Sequence, residues 1–430
     1  MIPTVPLRVA MDARVTPESI LGGVATAVWS LIRALGGVTD GPEEYAIVVG
    51  SERQADWLRP ILGPNQRLVF RSASRKHPLL KPFVPAIRFV QNVLSPPRFW
   101  PEVPVSDGFY EALACELVHF PTQRFTVCAL PTIYNPHDLQ HLHYPQFFSP
   151  SELAWRETIY PAGCHFARTV IVNSQWIKDD LIRQYRVAAD KIQVIPEAAP
   201  TQAYPEPTPE SLARLQACHQ LERGFALYPS VAWPHKNHLG LFEAIAYLRT
   251  ERNLRVPLVC TGARHEASWP AIAERLKALG LDSQVKFLGF VPAEDLRGLY
   301  RLATFLVLPT LFEANSLPIF EAWAEGLPVV CSNVTALPEQ VRDAAVLFDP
   351  HDPVAIAEAM RALAVDSRLR QELRARGSQR LRDFDWERTA RAYRAVYRRA
   401  AGRALSEEDH WLLQWDWMRE SERELEVSRS

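Results

Sequence analysis

Short apolar runs alternate with longer segments of helical period along most of the chain. The runs end at Gly, Pro, Asn or Asp and show little polar alternation, which is typical of parallel strands buried on both faces. Segments in which apolar residues recur every three or four positions follow them and predict helices. The strands are predicted at 7–11, 45–49, 117–120, 131–134, 169–174, 191–197, 225–228, 258–262, 285–291, 305–308 and 346–350. The pattern predicts an α/β fold with doubly wound parallel sheets.

The length of the chain indicates more than one domain. Its 430 residues exceed what one ordinary core accommodates and suit two domains of roughly 200 residues each. Four prolines fall within 198–209, which marks a linker. We therefore expect domains at 1–200 and 223–385, a linker at 201–222 and a helical tail at 386–430. The basic residues of that tail predict a solvated helix face.

Composition excludes several classes of protein. A formal net charge of -1 with 47% hydrophobic residues does not fit a globally basic nucleic-acid binder. The six cysteines form no Cys-x-x-Cys pair, which argues against a zinc site and suits a reducing cytoplasm. Arg8 and Asp12 interrupt the apolar opening, so no signal peptide is predicted, and no apolar run has the length of a membrane span.

The stretch 312–330 carries the most informative chemistry of the chain. Its pattern predicts strand, loop, helix and strand, with Asn315 or Ser316 as the helix cap and Pro318 in the first turn. Free amides from Asn315 through Leu317 would face the carboxyl end of the preceding strand, where open α/β sheets bind anionic groups such as phosphate. A carboxylate one turn further in, Glu321, could accept both hydroxyls of a ribose.

Glu313 and Glu321 enclose seven residues, in an apolar setting that continues into Gly-Leu-Pro-Val-Val. This stretch resembles the donor-site motif of glycosyltransferase family 4. The resemblance implies the GT-B fold, with two Rossmann-like domains facing a central cleft, the acceptor side in the N-terminal domain and the nucleotide-sugar site in the C-terminal one. It also implies that the helical tail 386–430 crosses back to the N-terminal domain. It also implies that Glu313 contacts the donor sugar and Glu321 the ribose, and that no cofactor or metal takes part.

Other residues match the family pattern one by one. Gly22 and Gly23 resemble its N-domain glycine loop, and His137 resembles the histidine that contacts the sugar beside the scissile bond. Lys236 resembles its phosphate-binding lysine, and the backbone of Phe290 and Val291 resembles the segment that recognises the base. Under the resemblance His137, Glu313 and Lys236 are the catalytic residues.

Two positions depart from the family pattern. Ser230 lies where the family has a second phosphate-binding base, an arginine about six residues before the lysine, and Glu197-Ala198 replaces its asparagine-glycine. Metal binding has two weaker candidates, the histidines 137, 141 and 143 beside Asp138, and the Asp-x-Asp of residues 383–385. We expect neither of them to hold a metal.

Bases and apolar residues are mixed in the segment 67–94, interrupted by Pro78, Pro82 and Pro85. Two readings stay open for it: an ordinary solvated surface, and peripheral contact with the inner face of a membrane during approach to a lipid-linked acceptor. We expect a cytoplasmic enzyme in either case.

The predicted function is that of a retaining glycosyltransferase. It would move a sugar from a nucleotide-diphosphate donor to a hydroxyl of a sugar, polysaccharide or lipid-linked acceptor in glycan biosynthesis. Two alternatives stay open. One is a nucleotide-sugar epimerase of the same fold, which would need further acid-base carboxylates. The other is a non-catalytic nucleotide-sugar binding or scaffold protein, which the absent arginine favours.

Overall fold

The computed structural model describes residues 5–14, 22–71, 103–200 and 204–417. They form two compact units. The first contains the described residues of Met1–Glu197 and Asp385–Glu420, and the second contains those of Ala198–Phe384. Each unit has its own parallel sheet with helices around it, which confirms the predicted α/β class.

Seven parallel strands form the sheet of the first unit in the order β3-β2-β1-β4-β5-β6-β7. The strands are β1 (Leu7–Asp12), β2 (Glu43–Val49), β3 (Gln66–Phe70), β4 (Leu117–Phe120), β5 (Thr132–Tyr134), β6 (Thr169–Val172) and β7 (Ile192–Val194). β4, β5 and β6 are buried along their whole length, as their apolar runs predict. The strand order reverses between β1 and β4, and open α/β sheets bind ligands at the carboxyl side of such a switch point.

The helices of the first unit are α1 (Gly23–Gly37), α2 (Glu52–Leu58), α3 (Gln140–His143), α4 (Pro150–Phe166), α5 (Gln175–Tyr185) and, from the end of the chain, α14 (Trp386–Ala400) and α15 (Glu407–Gln414). Ser174 caps α5 through a hydrogen bond from the backbone N–H of Ile177, as the sequence predicts. α14 packs against α1, which explains why residues 385–417 belong to this unit.

Buried polar contacts fix α14 to the sheet. Tyr397 Oη lies 2.9 Å from His119 Nδ1, and His119 Nε2 lies 2.8 Å from Asn135 Oδ1. Asn135 in turn donates to Tyr393 Oη at 2.8 Å. These four side chains are buried, so their mutual hydrogen bonds replace those that water would provide.

The basic side chains of α14 correct the prediction of a solvated face. Arg394 and Arg391 both pair with Asp40, and Arg398 pairs with Glu43 at 2.7 Å. The side chain of Arg394 is only 4% exposed, and the acidic partner on the first unit compensates for the burial of its positive charge. The sequence could not reveal these pairs because Arg394 and Asp40 lie 354 residues apart in the chain.

Six parallel strands form the sheet of the second unit in the order β10-β9-β8-β11-β12-β13. The strands are β8 (Ala226–Pro229), β9 (Leu258–Thr261), β10 (Val285–Phe287), β11 (Phe305–Leu308), β12 (Val329–Ser332) and β13 (Ala345–Phe348). The order reverses between β8 and β11, which makes the carboxyl ends of these two strands the switch point of this sheet.

The helices of the second unit surround this sheet. They are α6 (Pro209–Cys218), α7 (His238–Glu251), α8 (Trp269–Ala278), α9 (Ala293–Leu302), α10 (Leu317–Ala324), α11 (Leu337–Val341), α12 (Pro353–Val365) and α13 (Ser367–Leu381). α6 lies within the stretch 201–222 that the prolines predict as a linker, and it packs against α9. Prolines favour the first turn of a helix as well as a linker, and Pro209 occupies that position.

Most of the segment 67–94 lies outside the described residues. Its described part ends with β3 and Arg71, whose guanidinium pairs with Asp107 at 3.2 Å. Within the described part of the chain, no helix has both the length and the apolar character needed to span a bilayer.

Three buried histidines should make stability depend on pH. Burial lowers the pKa of His119 to about 4 and that of His141 and His238 to about 3. Between those values and about 6.5 the unfolded chain binds more protons than the folded one, so stability should fall as the pH drops through this window. Each histidine contributes up to about 1.4 kcal/mol per pH unit. Urea unfolding between about pH 7 and pH 5 measures the slope, and a flat profile would contradict neutral buried rings.

Candidate functional site

Lys236 and Glu313 meet at the switch point of the second unit. Lys236 ends a short 3-10 turn, Pro234–Lys236, in the loop after β8, and Glu313 lies in the loop after β11. The ammonium of Lys236 contacts Glu313 Oε1. Their side chains are 22% and 12% exposed, so the ion pair is partly shielded from water. The structure thus brings together two residues that lie 77 positions apart in the sequence.

Asn237 holds the lysine loop in place. It adopts the left-handed conformation with φ 56°, and its side-chain oxygen caps α7 by accepting from the N–H of Gly240 at 3.2 Å. Its side-chain nitrogen donates to the carbonyls of Pro309 and Pro350 at 3.0 and 2.9 Å. Because Pro309 directly follows β11, this amide ties the loop of Lys236 to the strand that leads into Glu313.

Glu313 is fixed through its backbone. Its N–H donates to Thr335 Oγ1 at 3.0 Å, and the hydroxyl of Thr335 donates back to the carbonyl of Glu313 at 2.6 Å. Side-chain motion of Glu313 is therefore possible without displacement of its loop.

The first turn of α10 differs from the predicted capping. Ser316 is the N-cap residue, yet its hydroxyl makes no capping hydrogen bond and is buried without a partner in the part of the chain that the structure describes. The side chain of Gln340 holds this position instead. Its Oε1 accepts from the N–H of Ser316 and its Nε2 donates to the carbonyl of Ser316, both at 2.9 Å. The prediction of a free amide at Ser316 is therefore wrong, because Gln340 already occupies that N–H. Asn315 and Leu317 flank this fixed residue at the start of the helix.

Glu321 lies on the buried side of α10 and is 6% exposed. Tyr300 donates to its Oε2 at 2.5 Å, and Tyr204 donates to its Oε1 at 2.7 Å. Burial raises the pKa of Glu321, and the two tyrosine hydroxyls oppose that shift because they stabilise the carboxylate. Each carboxylate oxygen therefore already has one hydrogen-bond donor.

Phe290 and Val291 lie in the loop after β10, beyond the carboxyl end of that strand. Phe290 is 61% exposed, whereas Val291 is buried. The N–H of Gly262, after β9, donates to the carbonyl of Gly289 at 2.7 Å and fixes the start of this loop. At Ser230, where the family pattern has its second base, the hydroxyl donates to the carbonyl of Val231 at 3.2 Å.

In the first unit, Gly22 and Gly23 begin α1. Gly22 is extended at φ -92°, so it does not use the positive φ that a glycine permits. Apart from its chain neighbours and its own helix backbone, no described residue has an atom within 4 Å of a Cβ placed at Gly23.

The histidines of the loop after β5 take separate roles. His137 has a φ of 66°, and its Nε2 lies 2.9 Å from the carbonyl oxygen of Pro121. His141 bonds to the hydroxyl of Tyr185 at 3.1 Å, and His143 bonds to Asp180 at 2.7 Å. Among the described residues no three His, Cys, Asp or Glu side chains are grouped as a metal site.

A cavity of about 540 Å³ lies at the carboxyl side of the first unit's sheet. Its lining includes Arg14 after β1, Arg71 after β3, Thr122 and Arg124 after β4, and Val24 in the first turn of α1. Arg14 is held by two hydrogen bonds to Asp12, at 2.8 and 2.6 Å. The cavity therefore combines basic groups with the amino end of a helix at the switch point of this sheet.

Comparison with known proteins assigns both units. The family model described as Glycosyltransferase Family 4 matches residues 21–203, and the model described as Glycosyl transferases group 1 matches residues 225–366. The chain belongs to the glycosyltransferases. Its two parallel-sheet units give it the GT-B fold, which confirms the fold that the motif of Glu313 and Glu321 implies.

Curated relatives of this glycosyltransferase include two bacterial enzymes. O-antigen chain mannosyltransferase B of Escherichia coli is 32% identical over 254 residues, which are 58% of this chain and 66% of that protein. D-inositol 3-phosphate glycosyltransferase of Corynebacterium efficiens is 30% identical over 246 residues, which are 54% of this chain and 57% of that protein. The matches thus span a little under two thirds and somewhat more than half of these relatives' lengths.

Among solved structures, HepE of Anabaena in complex with UDP and glucose superposes with a TM-score of 0.65. The superposition covers 90% of this chain and 98% of HepE at 18% sequence identity. At that identity the likeness establishes the shared fold.

Sequence reasoning missed the residues that hold the candidate site of this glycosyltransferase. Asn237, Thr335, Gln340, Tyr300 and Tyr204 each contact a predicted site residue or its loop. Asn237 carries a local signal, because an asparagine before a helical segment is a preferred cap. The other four form hydrogen bonds with partners 21 to 117 positions away in the sequence, and no local pattern indicates such pairs.

Proposed function

We propose that the chain transfers a sugar from a nucleoside-diphosphate donor to an acceptor hydroxyl with retention of the anomeric configuration. The observation that carries the proposal is the contact between Lys236 and Glu313 at the switch point of the second unit, beside the amino end of α10. A cation and the positive end of a helix dipole suit the diphosphate, and a carboxylate suits the hydroxyls of the sugar. The parent family and the two mannosyl- and glycosyltransferase relatives support this reading.

Donor binding would exchange the partners of the ion pair. In the structure, the ammonium of Lys236 pairs with the carboxylate of Glu313. A diphosphate carries more negative charge than one carboxylate and competes for the lysine, which frees Glu313 to accept hydrogen bonds from the sugar. The backbone of Glu313 is held by Thr335, so this exchange requires movement of the side chain alone.

In the transfer step, the bond between the anomeric carbon and the diphosphate oxygen breaks, and a bond from the acceptor oxygen to the same carbon forms. We propose that the acceptor proton passes to a phosphate oxygen of the donor. Negative charge would grow on the departing diphosphate, where Lys236 and the positive end of the α10 dipole would stabilise it. His137 would contact the sugar from the first unit.

The two ends of the donor would bind at other groups of the same unit. Glu321 would accept the ribose hydroxyls, and the loop at Phe290 and Val291 would contact the base. We propose mannose as the first sugar to test, because the curated relative from Escherichia coli is named a mannosyltransferase.

The acceptor would bind on the first unit. The cavity lined by Arg14, Arg71 and Arg124 follows the switch point of that sheet and supports a polar or anionic acceptor group there. Peripheral membrane contact through 67–94 stays a hypothesis for a lipid-linked acceptor. Sedimentation with vesicles of anionic lipid tests it, and protein that stays in the supernatant at low salt would argue for a water-soluble acceptor.

The experiment that tests the proposal is an assay of nucleoside diphosphate release. UDP-glucose, GDP-mannose and ADP-glucose are incubated with the protein and a panel of sugar acceptors, with and without EDTA. We expect release from one donor class, unaffected by the chelator, and NMR of the product should show the anomer of the donor. Inverted product would contradict retention, and binding without release from any donor would favour the scaffold alternative.

A further inference from the structure

Tyr204 connects the beginning of the second unit to the buried carboxylate of Glu321. It is the first described residue after segment 201–203, and its hydroxyl donates to Glu321 Oε1 at 2.7 Å. Its carbonyl accepts from Arg297 Nη1 at 3.2 Å. The position of the ring is therefore fixed at both ends, by its hydroxyl and by its own backbone.

Ion pairs fix the residues that follow Tyr204. Glu206 pairs with Arg297 at 2.6 Å and also with Arg301, and both arginines pair with Glu325 at 2.5 Å. Glu325 is only 4% exposed and directly follows α10, the helix that carries Glu321. The stretch from Tyr204 to Pro207 is thus attached to both α9 and the end of α10.

Each oxygen of the Glu321 carboxylate accepts a hydrogen bond from one tyrosine. Tyr300 donates to one oxygen and Tyr204 to the other. An ionised carboxylate has about four acceptor positions, two on each oxygen. With the donors that the described residues supply, one position on each oxygen remains, and the vicinal 2′- and 3′-hydroxyls of a ribose supply two donors with matching spacing.

We propose that Tyr204 is a positioning residue that orients Glu321 so that one acceptor position on each oxygen faces a ribose diol, and that it thereby sets the preference of the site for ribonucleotides. The inference rests on the proposed donor site. Tyr300 shares this role, but it is wholly buried on α9, so its substitution also disturbs the core. Tyr204 is the cleaner residue to test, because removal of its hydroxyl leaves the backbone contact with Arg297 in place.

The test compares nucleoside diphosphates with their 2′,3′-dideoxy analogues. Calorimetry measures both dissociation constants for the wild type, Tyr204→Phe and the control Tyr247→Phe, which removes a hydroxyl from α7 of the same unit. In the wild type the ribonucleotide should bind at least about 10-fold more tightly, because the analogue lacks the two ribose hydroxyls that would donate to Glu321. In Tyr204→Phe the affinity for the ribonucleotide should fall about 3- to 10-fold, and the affinity for the analogue should stay the same.

Steady-state kinetics with the nucleotide sugar adds a second readout. Tyr204→Phe should raise KM for the donor with little change in kcat, because the ribose contact is the same in the ground state and the transition state. The inference would be overturned if Tyr204→Phe weakened both nucleotides equally or left the preference for the ribonucleotide over the analogue unchanged. Tighter binding of the ribonucleotide would also overturn it, because that result would show that the Tyr204 hydroxyl competes with the ribose for Glu321. A wild type that binds neither nucleotide would overturn the proposed donor site as well.

Discussion

Replacement of Lys236 by Met is expected to lower kcat for sugar transfer by about 10²- to 10³-fold, the effect typical of removing one group that stabilises charge in a transition state. Met retains the length and the apolar stem of the side chain but cannot neutralise the departing diphosphate. The sequence has Ser230 where the family has a second base, so the diphosphate depends more strongly on this lysine. The measurement is the steady-state rate with saturating donor.

The control for this variant is Lys277→Met, on the exposed side of α8. It removes the same charge from the same unit and should leave kcat and KM within about twofold of the wild type. Lys236→Met also leaves Glu313 without its cation, so its thermal stability must be measured beside the rate. A folded Lys236→Met protein with a rate near that of the wild type would exclude the proposed role of the lysine.

Replacement of Gln340 by Leu is expected to lower the free energy of unfolding of the second unit by about 1–3 kcal/mol, the cost of one buried backbone N–H left without a partner. Gln340 is 1% exposed, and its amide pairs with both the N–H and the carbonyl of Ser316. Leu has a similar volume but no polar atoms, so the N–H of Ser316 loses its partner, whereas the carbonyl of Ser316 still accepts from the N–H of Ile319 at 3.2 Å. Urea unfolding, followed through the second unit's tryptophans, measures this loss.

The same variant should weaken nucleotide binding, because the amides at the start of α10 would no longer be held in place. Gln216→Leu is the matched control, since its side chain lies on α6 of the same unit and is only partly buried. It should change the free energy of unfolding by less than about 0.5 kcal/mol. Equal stability of the Gln340→Leu and Gln216→Leu proteins would show that the pair of hydrogen bonds to Ser316 is not what fixes this helix.

The elements that could be predicted from sequence are those set by local chemistry. Phe305–Leu308 is a strand and Ala293–Leu302 a helix, both with the predicted bounds. A short apolar run indicates a buried strand, and apolar residues at helical spacing indicate a helix with one buried face. The motif of Glu313 and Glu321 and the position of Lys236 led to the family, and the family models match both units.

What could not be predicted depends on contacts between distant parts of the chain. Ser316 is the N-cap residue, as predicted, but its hydroxyl makes no capping hydrogen bond, and Gln340, 24 residues later, pairs with its backbone. The solvated face of α14 was wrong because its arginines pair with Asp40 and Glu43. Tyr204 gave no signal in a proline-rich stretch, yet it contacts Glu321 across 117 residues. Long-range pairs of this kind leave no local periodicity in the sequence.

The most direct test of the donor site is calorimetric titration of UDP, GDP and ADP into the wild type and Glu321→Ala, with and without EDTA. The account predicts that one nucleotide binds the wild type, that EDTA does not change its affinity, and that Glu321→Ala weakens it at least about 10-fold through loss of the ribose contacts. Absence of binding for all three, or equal affinity in Glu321→Ala, would contradict the assignment of Glu321 and with it the proposed nucleotide site of the second unit.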